Sequence, residues 1–319
     1  MASTHHNVSA ELAIQPGRFV PDPRDLRQPL SVRVRPYLII GPALLLTVGI
    51  LYPFGLAVYY SLTNYTLSNP NYSFVGFLNY KMLLTDPEFY HSAKVTLAYA
   101  FSATAVETIL GLGVALLLNR ETPLARVLRT VMIFPLMIAP VIGTLIWKLM
   151  MQPSVGILNY LLGFIGLSHF EWAAAPQTAL FSVVLVDVWI YTPFISLLLL
   201  AGLQSMPKEP FESARVDGGS AWFTFKNLTL PMLAPFLIIA VIFRLIDSLK
   251  MFDVIYAMTG GGPGQTLMNF PLQAYYYGIL YMNLSYGLTY MIILWAIVYL
   301  ISQILVVYWG KAQQRAAGL

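Results

Sequence analysis

The chain has 319 residues, of which 58% are hydrophobic and 10% charged, and its mean hydropathy is +0.69. Soluble domains carry roughly 25% charged residues, so an ordinary soluble globule is excluded and an integral membrane protein is expected. No cysteine is present, which excludes disulfides and thiolate metal sites, and the formal charge of +4 sits beside apolar runs, where it suits membrane orientation better than nucleic acid.

Residues 1–35 are polar, contain Pro16, Pro21, Pro23 and Pro29, and show no apolar period. A mostly disordered cytosolic tail is expected there. His5 and His6 form no ligand cluster with the other two histidines, and no metal site is expected. The first apolar run starts near Tyr37, too far along and too long for a cleaved signal peptide. A helix needs about 20 apolar residues to cross a bilayer. Six segments qualify, at about 37–61, 93–118, 128–151, 178–202, 232–256 and 286–309. Pro53, Pro135, Pro140 and Pro193 interrupt them, which spanning helices tolerate when neighbours satisfy the freed backbone groups. An all-α membrane fold with six transmembrane helices follows.

Basic residues set the orientation. Arg18, Arg24, Arg27, Arg33 and Arg35 precede span 1; Arg120, Arg126 and Arg129 follow span 2. Lys208, Arg215 and Lys226 follow span 4, and Lys311 and Arg315 follow span 6. All fall on one side, so both termini and the 203–231 loop are expected in the cytosol. On the opposite side, residues 257–285 open with Thr259-Gly260-Gly261-Gly262-Pro263-Gly264 and hold Tyr275, Tyr276, Tyr277 and Tyr281. These tyrosines read as interfacial anchors, on a loop with a short helix along the outer surface.

The stretch Glu209–Pro231 is unusually polar for this chain. Lys208 to Val216 suits a short helix with Pro210 in its first turn and with Glu209 and Glu212 favouring its N-terminal end. Gly218 and Gly219 suit its end, and Ser220 suits the N-cap of a second short helix before Pro231 leads into span 5. Glu212-Ser213-Ala214, three residues, Gly218, nine residues, then Leu228-Thr229-Leu230-Pro231 resembles the EAA loop of ABC importer permeases. The resemblance implies the type I importer permease fold over residues 36–310, with a coupling helix in the loop 204–231 and a cytosolic tail at 311–319. It implies that Glu212, Ser213, Ala214, Asp217, Gly218, Leu230 and Pro231 dock a separate cytosolic ATPase.

Two further runs resemble the carbohydrate branch of that family: Phe74-Val75-Gly76-Phe77-Leu78-Asn79-Tyr80, and Thr259 to Pro263, the latter like the first of two paired permeases. The implied assembly contains a homologous second permease, two ATPase subunits and an external solute-binding protein, placed in the cytoplasmic membrane to import a sugar. The chain has no Gly-Lys-Ser/Thr phosphate loop, so it is expected to bind no cofactor and to have no catalytic residue, with ATP and Mg on the partner. A permease for a polyamine or inorganic anion and an ion-driven carrier are the competing readings.

Ionisable groups inside spans are costly and usually face partners or a water-filled path. Glu107 lies in span 2, Asp187 in span 4, and Arg244, Asp247, Lys250 and Asp253 in span 5. Either they neutralise each other between helices, with Glu107 as the cross-helix partner of Arg244, or they line the path. By the resemblance to the maltose permease, Trp189 and Pro193 point to Ile190, Tyr191 and Phe194 as sugar contacts. Counting back from Thr259 points to Asp247, Ser248 and Met251.

Overall fold

Where there is no water to bond, backbone groups must pair within the chain, and long helices are the simplest solution. The computed structural model describes residues 30–69 and 71–316, and among these the only β pairings are isolated bridges, Thr63 with Phe74 and Thr66 with Asn69. The chain divides at Gly55 into two units. The described part of the first is helical, within α1 (Leu30–Ser61), and exposes Leu44, Leu45, Leu46 and Ile50. The disordered tail expected over 1–35 lies outside the described residues up to 29; from Leu30 the chain is already helical, seven residues before the expected start of span 1.

In the second unit α2 (Leu78–Thr85) leads into α3 (Pro87–Leu118), capped by Asp86, whose carboxylate accepts from the Glu88 N–H at 2.9 Å. Asn79 pins the turn after α1, donating to the carbonyls of Ser61 and Thr63 at 2.8 Å each. The central layer is α3 against α8 (Pro176–Gln204), with Tyr99, Ala103, Val183, Val186 and Ile190 buried in one cluster. A second cluster joins these helices to α11 (Leu230–Leu249) through Ala115, Ile195, Leu199, Leu233 and Ala240. The last helix, α14 (Leu284–Ala316), packs on α11 through Leu245, Leu249, Tyr290 and Leu294, so helix continues through most of the expected tail.

Among the described residues five helices are long and apolar enough to cross a membrane, and the third expected span is broken. Residues 128–151 are divided among α4 (Pro123–Val131), α5 (Phe134–Met137) and α6 (Pro140–Met150), with a 96° bend before Pro140. A residue preceding proline is pushed out of the helical region, and Ala139 has ψ 130° after an extended Ile138 with ψ 132°. By contrast, α8 runs through Pro193 and α11 through Pro235 as single helices. Between α6 and α8 lies the short α7 (Ile157–Gly163), where Asn159 Nδ2 donates to the carbonyls of Pro153 and Phe170 at 3.1 and 2.9 Å.

Span 5 also ends earlier than expected, at Leu249 rather than 256. Tight bonds from the N–H of Lys250 to Asp247 and of Met251 to Ser248 close the helix, and the freed Met251 carbonyl accepts from Asn269 Nδ2 at 2.6 Å. A separate helix, α12 (Asp253–Thr259), follows. The helix expected along the outer surface is α13 (Phe270–Tyr275), but its first four residues are buried, and the Phe270 N–H bonds Thr96 Oγ1 at 3.0 Å. Its apolar start and the partners on α3 draw it inward.

Candidate functional site

The polar hairpin is built by local rules. Helix α9 (Glu209–Val216) has Pro210 in its first turn, and the Lys208 carbonyl accepts from Phe211 and Glu212 N–H groups at 3.0 Å. Gly218 has φ +75°, a left-handed conformation that glycine alone adopts without cost. The turn lets the Gly219 N–H reach the Ala214 carbonyl at 2.8 Å and close the helix end. Ser220 then caps α10 (Ala221–Thr224), its Oγ accepting from the Phe223 N–H at 3.2 Å.

That second helix does not stop, as it was expected to. A wider turn over Phe225–Thr229 carries it into α11, and residues 221–249 form one continuous helical rod. Hydrogen bonds from Asn227 Nδ2 to the Phe223 carbonyl and from Thr229 Oγ1 to the Thr224 carbonyl hold the junction.

Glu212, Ser213, Asp217, Gly218 and Pro231 are exposed, while Ala214 and Leu230 are half-buried. Glu212 makes no side-chain hydrogen bond or ion pair among the described residues, so its carboxylate is free for an external cation. Two cavities flank α9. One of about 790 Å³ is lined by Arg129, Lys208, Phe211, Glu212 and Arg215; the other, about 740 Å³, by Ser213, Ala214, Asp217, Gly218 and Leu228. Trp222 of α10 is exposed, its ring stacked on Phe225 at 5.6 Å.

A second site lies inside the spans. Arg244 of α11 is 2% exposed and meets two fully buried carboxylates. Its Nε and Nη2 donate to the two oxygens of Glu107 on α3 at 2.6 and 2.8 Å, and Nη2 also donates to Asp187 Oδ2 on α8 at 2.7 Å. Nη1 reaches Asp247 one turn along its own helix at 2.9 Å. The guanidinium also lies over the Tyr191 ring, 4.1 Å from its centroid. One cation thus ties three helices together, as a buried charge requires partners on every accessible side. The fully buried Tyr99 hydroxyl and Asp187 Oδ1 have no hydrogen-bond partner.

The structure separates the sequence candidates for the solute path. Ile190, Ser248 and Met251 are buried, and Ser248 Oγ accepts from Thr104 Oγ1 at 3.5 Å. Tyr191 and Phe194 are half-buried, and the Asp247 side chain is 50% exposed. Lys250 stands apart from the buried charges, exposed at the end of α11.

Of the tyrosines expected as anchors, Tyr281 is exposed, but Tyr277 packs edge-on against Tyr286 at 4.7 Å. Burial, with Glu88 and Asp86 nearby, pushes the Tyr277 phenol up to about 12. Asn269 was missed by sequence reasoning: it bonds the end of α11 and also caps α13, accepting from the Leu272 N–H at 3.1 Å. An asparagine just before Phe270-Pro271 is a helix-start signal that could have revealed half of that role.

The chain is 43% identical over 208 residues to the trehalose/maltose transport system permease protein MalF of Thermococcus litoralis, covering 65% of this chain and 70% of the relative. It is 36% identical over 231 residues to the trehalose transport system permease protein SugA of Mycobacterium tuberculosis, covering 70% and 73%. In fold it resembles a chain of a bacterial ABC transporter involved in the import of the acidic polysaccharide alginate, with a TM-score of 0.73 at 19% identity over 91% of this chain and 99% of that one. The family profile described as binding-protein-dependent transport system inner membrane component matches residues 107–313, and the chain belongs to that family.

Proposed function

We propose that the chain is the membrane-spanning permease subunit of an ATP-driven sugar importer, working beside a homologous permease, two ATPase subunits and an external solute-binding protein. The observation that carries this reading is the 43% identity to a trehalose/maltose permease. The exposed α9, with its free Glu212 and its glycine turn, supports docking of a cytosolic ATPase, which would place both termini in the cytosol. ATP and Mg belong to that ATPase, and this chain supplies no catalytic group.

The continuous rod gives the coupling a physical basis. From Ala221 to Arg244 the helix rises about 35 Å at 1.5 Å per residue. A displacement that the closing ATPase passes from α9 across its glycine turn to α10 is then delivered along this rod to the cluster of Arg244 and Asp247. There the accessible side chains of Tyr191, Phe194 and Asp247 form this chain's part of the solute path: the rings stack on the C–H face of a sugar and the carboxylate accepts its hydroxyls.

The test is uptake into proteoliposomes that hold this chain, its partner permease and the ATPase. Labelled trehalose and maltose should accumulate only with ATP and the loaded binding protein. Accumulation that survives inactivation of the ATPase would refute the reading.

A further inference from the structure

The guanidinium of Arg244 is outnumbered. Three carboxylates converge on it, and only Asp247 is half exposed. Its N–H groups already serve Glu107, Asp187 and Asp247, and its outer face is covered by the Tyr191 ring. One Nη1 N–H is left over, but the guanidinium is only 2% exposed, so the cluster offers an incoming solute little cationic donor surface. It offers an acceptor instead: Arg244 holds Asp247 Oδ2, while Oδ1 makes no hydrogen bond among the described residues. The buried Asp187 Oδ1 likewise has no hydrogen-bond partner among the described residues. Lys250, exposed at the end of α11, forms no ion pair with any of the three carboxylates.

We propose that Asp247, held by Arg244 beside the Tyr191 ring, is a selectivity element that accepts neutral polyhydroxyl solutes and rejects anionic ones such as sugar phosphates. A neutral sugar donates hydroxyls to Asp247 and lays a C–H face on the half-buried ring. A phosphate brings negative charge to a half-exposed carboxylate backed by two buried ones, where like charges at close range repel even with solvent screening. Arg244 is a positioning residue in this scheme and never touches the solute.

This inference rests on the sugar-permease reading, and the experiment separates the two. The complete transporter, without binding protein, is placed in nanodiscs, both nucleotide-free and arrested with ATP and vanadate. Saturation-transfer NMR then compares trehalose with trehalose 6-phosphate, glucose with glucose 6-phosphate, and glycerol with glycerol 3-phosphate. The wild type should favour the neutral member of at least one pair by about tenfold or more. Asp247→Asn keeps the shape and leaves Arg244 paired with Glu107 and Asp187, and should shrink that preference to about twofold. A merely structural role for Asp247 would not move the ratio.

Equal binding of a phosphorylated member by the wild type, or an unchanged ratio in Asp247→Asn, overturns the proposal. So does the absence of binding by any probe while the transporter with its binding protein still takes up a neutral sugar. If that uptake is itself absent for every neutral sugar, the sugar-permease reading falls and takes this inference with it.

Discussion

Replacing Arg244 with leucine should destabilise the protein more than any exposed substitution. Arg244 supplies three short charge-assisted bonds to Glu107 and Asp187, whose side chains are fully buried. Its bond to Asp247 adds little, because that carboxylate is half exposed and screened by solvent. Removing the cation leaves two buried carboxylates unpaired, a change that costs about 3–5 kcal/mol. At 2–4 °C per kcal/mol for a domain of this size class, Tm should fall by roughly 6–20 °C. The assay is a melt in detergent followed by size-exclusion chromatography of a fluorescent fusion. The triple variant Arg244→Leu, Glu107→Leu, Asp187→Leu removes all three charges and should recover most of the loss, since apolar replacement of a buried ion group is often neutral or better. A single variant melting within about 2 °C of wild type, or a triple variant weaker than the single, would refute the reasoning.

Gly218→Val forces a β-branched residue to φ +75°, at a cost of roughly 1–2 kcal/mol; it should leave the protein inserted and abolish co-purification of the ATPase, as should Glu212→Lys. Gly111→Val should reduce folded yield sharply, because a Cβ there would sit 2.7 Å from Ile195 Cγ2 and 3.3 Å from the Ser196 backbone nitrogen; Gly113→Val, with nothing within 4 Å, is the matched control and should express normally. Asn269→Ala strips the Met251 carbonyl of its donor and α13 of its cap, and should lower stability by about 1–3 kcal/mol, read in the same melting assay.

Features that depend only on near neighbours along the chain are legible in the amino-acid sequence alone. Apolar length located the spans, because burial in lipid demands about 20 residues whatever their partners. Pro210, Gly218 and Ser220 foretold the α9 turn, since first-turn proline, left-handed glycine and serine caps act within a few residues. The pairing of Glu107 with Arg244 was legible as a need for a partner, because a buried charge cannot stay single.

Tertiary structure decided what needs distant atoms. Nothing local distinguishes Pro193, carried inside α8, from Pro140, where the chain turns by 96°, because the outcome depends on what the flanking helices can satisfy and fill. Span 5 stops at Leu249 because Asn269, 18 residues from Met251, takes a freed carbonyl. Ile190, Ser248 and Met251 share helical neighbourhoods with Tyr191 and Asp247, yet packing of α3, α8 and α11 buries the first three and leaves the other two accessible. Sequence placed charges and apolar runs along the chain; only packing decided which carboxylate, Asp247, meets both Arg244 and solvent.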